Sequence, residues 1–535
     1  MSTKQGALVA AILGSAVVAV DSTVVNVALP AIEDDLGGGL AGQQWVANAY
    51  LLTLAALILV SGSLADLFGE RRLFVLGVSA FGVTSVLCAV APSIEVLVAA
   101  RALQGVSGAL LTPASLAILI AVFPPDERGK AIGTWTAWGG IGILLGPLLG
   151  GQIVDSADWR VVFAINIPLV LGTLALASTY VPAGEPRTAG QDRPHVDVTG
   201  AALCAVGLAG ATFALIEQPM LGWSSPAVWG PGLGGLAVFA AFLRFEARTP
   251  HPMLPLGLFG RSNFRWGNLE TLFMYGGIAV MGFFLGLFLQ QAAGWSALEA
   301  GTTMLVPTTV MFVLSRRFGA LADRLGPRAF MAAGPLLSAG GLLLLLRLDA
   351  TVAFATDVLP ALLLFAIGLA VSVAPLTATV LADADEHNAG IASAVNNAVA
   401  RTAGLLATAA VGAALSASFA AEVDDRLGDR PLSPPAAARV DAAKDRALGV
   451  ADGAGVPPAV TEATRDAAVS TFHLAMGIGA ALMAAGGLLG LAGIRNPRPE
   501  DGCRDVHAED CAGGQLAGQP QDVAQGGPQP AAVPA

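Results

Sequence analysis

Val20-Asp21-Ser22-Thr23-Val24-Val25-Asn26-Val27-Ala28-Leu29-Pro30 closes an apolar run that begins near Gly6. At about 1.5 Å per helical residue, such a run crosses a hydrocarbon core ~30 Å thick. Asp21 therefore lies inside the bilayer, where a carboxylate is disfavoured unless it is paired, hydrated or protonated. Two readings stand open: a structural group satisfied by a neighbouring helix, or a proton-carrying site in a transporter.

The composition agrees with a chain that lives in lipid. Hydrophobic residues make up 55% and charged residues 13%, and the mean hydropathy is +0.68; soluble domains do not reach these values. The net charge of −11 is not an acidic binding face, because much of it lies in 421–469 and 500–511. Nucleic acid is excluded as a partner, since no basic patch or aromatic stacking platform occurs. Cys88 and Cys204 sit in apolar runs and Cys503 and Cys511 in the tail, so no disulfide framework is implied. The N-terminal run is too long for a signal peptide and carries Asp21, so it reads as the first span.

Stretches long enough to span occur near 7–29, 45–65, 73–91, 95–122, 131–154, 161–181 and 199–218, then 227–246, 266–290, 298–315, 329–348, 358–381, 389–420 and 470–493. They total fourteen, which puts both termini on one side. With that side cytoplasmic, Arg71, Arg72, Arg128, Lys130, Arg187, Arg193, Arg316, Arg317, Arg324 and Arg328 are inside, while the short outer loops hold only Arg160 and Arg347. Trp45, Trp159, Trp223, Trp229, Trp266 and Trp295 fall near span ends, as interfacial aromatics do. A multi-pass cell-membrane protein with cytoplasmic termini is expected.

A repeat supplies the architecture. Gly62-Ser63-Leu64-Ala65-Asp66-Leu67-Phe68-Gly69 recurs as Gly319-Ala320-Leu321-Ala322-Asp323-Arg324-Leu325-Gly326. Both copies follow a span on the cytoplasmic side, which relates two parallel halves of a transporter. The second copy comes eight spans later rather than six, so two extra spans, near 199–218 and 227–246, separate the halves. The expected division is a six-helix bundle over 1–181, a linker with two further spans over 182–265, a second six-helix bundle over 266–494 that includes outer loop 421–469, and a disordered cytoplasmic tail over 495–535.

Chemistry-bearing residues follow from the same frame. In the repeated loops Gly62, Asp66, Gly69, Arg71, Arg72, Asp323 and Arg324 read as a conformational latch that locks the inward ends of the halves in one state; a simple topogenic turn is the alternative. Arg101 in the fourth span is reached about 10 Å below the outer face and Asp21 about 20 Å above the inner one, so the two meet at similar depth. Gln104 shares the face of Arg101. The other reading of Arg101 is an anchor that snorkels outward. In the fifth span Gly142, Gly146, Pro147 and Gly150 permit close helix approach and a kink. Trp135 and Trp138, at i and i+3, line a cavity or pack a core. Asn26, Gln104, Met274, Tyr275 and Phe283 complete the candidate substrate cavity, with lipid contact the alternative for Met274, Tyr275 and Phe283. Glu270 is read as reaching the cytoplasm, and Arg401 as pairing with a carbonyl or the Asp323 loop. Cys503, His507 and Cys511 share a face at i, i+4 and i+8 but lack a fourth ligand, so no metal is assigned.

Taken together, these motifs resemble the fourteen-span drug:proton antiporter branch of the major facilitator superfamily. The resemblance rests on Asp21 to Pro30, Gly62 to Arg72, Arg101 to Gly108, Gly142 to Gly151 and Trp159 to Pro168. It implies an all-α membrane protein of the major facilitator fold, with two six-helix bundles plus two extra central helices. It further implies export driven by the proton gradient, with Asp21 and Arg101 coupling protons and Gly146-Pro147 acting as a hinge. The implied substrates are small amphipathic molecules or antibiotics, with no cofactor and function as a monomer. In the second loop Pro327-Arg328 replaces Glu70-Arg71, so an asymmetric latch is expected. A dedicated self-resistance exporter of one natural product is the narrower alternative, and a non-transporting membrane sensor the remaining one. A phosphate-binding loop, a zinc-protease helix and a nucleophile elbow are missing from the sequence, which argues against an enzyme.

Overall fold

Hydrocarbon offers backbone N–H and C=O groups no partners, so runs this apolar become helices. The computed structural model describes residues 2–182, 197–250, 252–383, 389–428 and 430–496. The tail beyond 496, with Cys503, His507 and Cys511, and the basic Arg187 and Arg193 lie outside those residues.

The first bundle comprises α1 (Thr3–Leu36), α2 (Gly39–Phe68), α3 (Glu70–Ala89), α4 (Ile94–Val122), α5 (Pro125–Ser156), the short α6 (Val161–Ala164) and α7 (Asn166–Tyr180). Two helices follow, α8 (Val198–Leu221) and α9 (Pro226–Glu246). The second bundle contains α10 (Ser262–Gln291), α11 (Ala297–Thr303), α12 (Leu305–Leu325), α13 (Pro327–Leu344), α14 (Leu359–Ala382), α15 (Ala389–Leu427) and α17 (Pro458–Gly493), with α16 (Pro434–Arg446) between the last two. Among the described residues, 12 helical stretches are long and apolar enough to cross a membrane. Helices α2 and α5, of 30 and 32 residues, stand where the second and fifth spans are expected and are not among those 12.

The repeat is visible in the packing. Helix α1 packs on α4, α5 and α7, and α10 packs on α14, α15 and α17; α3 rests on α4 and α7 as α13 rests on α14 and α17. It is visible in the backbone too. Gly69 turns the chain between α2 and α3 at φ 88°, ψ 138°, and Gly326 turns it between α12 and α13 at φ 87°, ψ 145°. Only glycine adopts this conformation without strain, so the two copies dictate the same turn.

Helix α8 packs on α2 and α15, where Leu52, Cys204, Leu208, Phe242 and Leu405 form a small apolar core. Trp45 Nε1 of α2 donates to Glu217 Oε1 of α8 at 2.7 Å.

The bundles meet through polar contacts at the end where α1 finishes. Gln44 Nε2 of α2 donates to the Thr408 carbonyl of α15 at 2.6 Å, and Thr408 Oγ1 donates to Asn48 Oδ1 at 3.2 Å. Asp155 at the end of α5 accepts from the Ala297 and Leu298 N–H groups at 3.0 and 2.9 Å, capping α11. Arg446 of α16 pairs with Glu33 and Asp34 of α1, each at 2.7 Å. At the other end, three basic side chains have partners in their own bundle. Lys4 pairs with Glu127 at 2.7 Å, Arg71 donates to the Ser178 carbonyl at 3.0 Å, and Arg328 donates to the Leu491 carbonyl at 2.8 Å.

Candidate functional site

Asp21 is fully buried in the first bundle, and its carboxylate is surrounded by donors. Arg101 Nη1 of α4 donates to Oδ2 at 2.6 Å. Gln104 Nε2, one turn along the same face, donates to Oδ1 at 3.0 Å, and Asn166 Nδ2 at the start of α7 donates to Oδ1 at 2.9 Å. Three donors and no acceptor face the carboxyl, an arrangement that an ionised carboxylate satisfies. Ser85 Oγ of α3 braces the cluster, accepting from Gln104 at 2.9 Å and from Asn166 at 3.3 Å.

Arg101 is 1% exposed, so the snorkelling alternative does not describe it. Besides Asp21 it reaches Gln104 Oε1 at 2.6 Å and the Val46 carbonyl at 3.1 Å, and its guanidinium lies 4.3 Å from the centre of the Tyr50 ring. Removing two charges from water costs several kcal/mol per ion, offset only when the remaining hydrogen bonds are also made. Here they are made.

Glycines set how closely the neighbouring helices mesh. A Cβ on Gly146 of α5 would collide with Thr23 Oγ1 of α1, and one on Gly150 would come within 2.9 Å of the Val24 carbonyl. Gly142 faces Ala19 and Val20 on the same stripe. Helix α5 thus rides directly on the segment of α1 that carries Asp21. Beyond Pro147, a Cβ on Gly151 would strike the backbone of Ala297 and Leu298, so the same helix touches the second bundle.

The remaining candidates are scattered. Asn26 is exposed, on the side of α1 away from the cluster. Trp135 Nε1 donates to Ser15 Oγ of α1 at 2.7 Å, whereas Trp138 is half-exposed. Met274 and Phe283 are buried in the core of the second bundle, and Tyr275 is partly buried. Arg72, Asp323 and Arg324 are exposed; the side chains at Gly62 and Asp66 lie outside the described residues.

Two expectations need correction. Glu270 does not reach the cytoplasm: it is 0% exposed, set against Gly490 of α17, and neither of its oxygens has a hydrogen-bonding partner. The absence of a side chain at Gly490 leaves the space it fills. Arg401 pairs with neither a carbonyl nor the Asp323 loop, and its Nε is buried without a partner among the described residues. Sequence reasoning also left Ser85, Tyr50 and Asn166 out of the site. Ser85 is a hydroxyl inside an apolar run, a weak signal, and Asn166 opens its helix, where a capping role competes. The Val46 carbonyl has no sequence signal at all. No group of three or more His, Cys, Asp or Glu suited to a metal occurs among the described residues.

A buried carboxylate–arginine pair in a repeated helical bundle leads to a particular class of proteins. The family model of the Major Facilitator Superfamily matches residues 11–409. The chain belongs to the Major Facilitator Superfamily. It is 33% identical over 458 residues to the tetracenomycin C resistance and export protein of Streptomyces glaucescens, a match covering 85% of this chain and 83% of that protein. It is 32% identical over 438 residues to the multidrug resistance protein Stp of Mycobacterium tuberculosis, covering 80% and 79%. Among solved structures, a bacterial homologue of the human lysosomal transporter Spinster, inward-facing and unoccupied, aligns with a TM-score of 0.63 at 16% identity over 93% of this chain and 99% of its own. At that identity the likeness is one of fold. Membership of this superfamily makes the chain a multi-pass membrane transporter and not an enzyme.

Proposed function

We propose that the protein is a proton-coupled exporter of small amphipathic drugs or antibiotics, working by alternating access in the cell membrane with both termini cytoplasmic. The reading counts α2 and α5 as crossings, for fourteen in all, and divides the chain into bundles at 1–181 and 266–494, a two-span linker at 182–265 and a tail at 495–535. With the N-terminus inside, the polar seam through Gln44, Asn48, Thr408 and Asp155 lies at the outer end, where it would have to part for release.

The observation that carries the proposal is the 2.6 Å contact between Arg101 and Asp21 in a fully buried cluster. A proton delivered to Asp21 removes the charge that holds Arg101. The guanidinium is not stranded, because Gln104 Oε1 and the Val46 carbonyl remain as acceptors. With that tie loosened, α1 can shift against α4. Helix α5 is meshed with α1 at Gly142, Gly146 and Gly150, so the shift passes along α5 to Asp155 and the outer seam. The two relatives named above, one for a single antibiotic and one for multidrug resistance, support a drug-like substrate and leave both breadths in play.

Uptake into everted vesicles tests the reading. Across a panel of toxic amphipathic compounds, wild-type vesicles should accumulate substrate only while an inward-acid gradient persists, and Asp21→Asn should insert normally but lose that uptake. Undiminished gradient-dependent uptake by Asp21→Asn removes Asp21 from the mechanism. Uptake confined to one chemical scaffold selects the dedicated exporter.

A further inference from the structure

The second bundle holds an intramembrane arginine, Arg401, whose buried Nε has no hydrogen-bonding partner among the described residues. Arg401 lies in α15, seven residues before Thr408, on the stripe that also carries Leu405 and Gly412. That stripe faces α2: Thr408 bonds Gln44 and Asn48, and a side chain at Gly412 would collide with Gln44. Arg401 therefore sits two turns, about 10 Å, to the inner side of the outer seam, on the face of α15 that meets the first bundle.

Among the described residues its surroundings supply phenol hydroxyls and no acid. The groups within electrostatic reach of its guanidinium are Tyr50 of α2 and Tyr275 of α10, and among the described residues it makes no ion pair. The buried carboxylates of α1 and α10 are engaged elsewhere. Asp21 is held by Arg101, Gln104 and Asn166, and Glu270 faces Gly490 of α17. The Tyr50 hydroxyl is itself buried without a partner. An arginine at such depth is retained where a partner or a passing ligand repays its desolvation, and its planar fork matches a carboxylate or phenolate oxygen.

We propose that Arg401 is the recognition site for an acidic oxygen on the transported molecule, with Tyr50 and Tyr275 flanking it, so that the preferred substrates are aromatic acids and acidic phenols rather than lipophilic cations. The assignment rests on the exporter reading and names its substrate class.

The test uses two dyes with the same xanthene ring system and opposite charge, fluorescein and rhodamine 6G, titrated onto the full-length protein in nanodiscs in gluconate buffer. Fluorescein should bind about tenfold or more tightly than rhodamine 6G, the scale of one charged hydrogen bond. Arg401→Gln should erase the preference while leaving rhodamine 6G binding in place, and Arg401→Lys should keep part of it. Equal affinities in the wild type, or an unchanged preference in Arg401→Gln, overturns the assignment. Chloride in place of gluconate should not displace fluorescein; complete displacement would reassign the site to an inorganic anion. No gradient is present, so failure here leaves proton coupling untouched, and loss of coupling in vesicles leaves this result standing.

Discussion

Helices α1 and α10 occupy equivalent places in the two bundles, and each buries a carboxylate, yet the two are handled in opposite ways. Asp21 accepts hydrogen bonds from Arg101, Gln104 and Asn166. Glu270 accepts none. The arginines differ in parallel: Arg101 has Asp21, Gln104 and Val46 as acceptors, whereas the Nε of Arg401 has no partner. The first bundle thus contains a finished electrostatic site and the second contains its components apart. Where charges are already matched, a proton is the ligand that changes the balance; where they are unmatched, a larger ligand is required.

The largest effect expected from this difference is on stability in the first bundle. Asp21→Ala leaves Arg101 charged and buried beside neutral acceptors, and breaking a buried pair from one side costs ~3–5 kcal/mol. Arg101→Met should cost a similar amount, because the carboxylate is then stranded. The double variant should cost much less than the sum, since neither charge remains unpaired. Thermal and denaturant unfolding in detergent would measure this. Strictly additive losses would mean that water, and not Arg101, compensates Asp21.

Much of this site could be read before the fold was known, and the reasons are physical. Depth follows from rise per residue, so Asp21 and Arg101 could be brought to one level from their span positions, and they stand 2.6 Å apart. Lateral placement has no such ruler. The acceptor from α3, Ser85, and the donor from α7, Asn166, join the cluster only through the packing of four helices, and a lone polar residue in an apolar run does not announce its neighbour. Glu270 lies near the start of its helix, but distance along a helix does not give exposure. Its burial depends on Gly490, some 220 residues away in sequence, lacking a side chain. Trp135 and Trp138 share a face by spacing, yet one bonds Ser15 and the other is half-exposed.

The repeat offers a comparison in which the halves should behave alike. Gly69 and Gly326 hold φ near 88° and 87°, a region that costs a residue with a side chain ~1–3 kcal/mol. No atom lies within 4 Å of a Cβ built on Gly69, so Gly69→Ala reports backbone strain free of any clash. Gly69→Ala and Gly326→Ala should lower stability by similar amounts, and the two losses should add because the turns lie in different bundles. A marked inequality would mean that one turn carries load that the other does not, as the replacement of Glu70-Arg71 by Pro327-Arg328 hints.

The smallest effect, and the one of opposite sign, belongs to Glu270. A buried polar group without a partner lowers stability by ~1–3 kcal/mol relative to an apolar group that fills the same space. Around it, α17 presents Gly490 and α13 the Met331 carbonyl; Arg328 of α13, one turn away, donates to the Leu491 carbonyl, and neither Glu270 oxygen accepts a hydrogen bond. Glu270→Met should therefore raise stability, by ~1–2 kcal/mol, where the corresponding change at Asp21 lowers it. The sign decides the comparison. If Glu270→Met destabilises the protein instead, the carboxyl has a partner that ordered water supplies, and the two bundles are more alike in their electrostatics than their hydrogen bonds indicate.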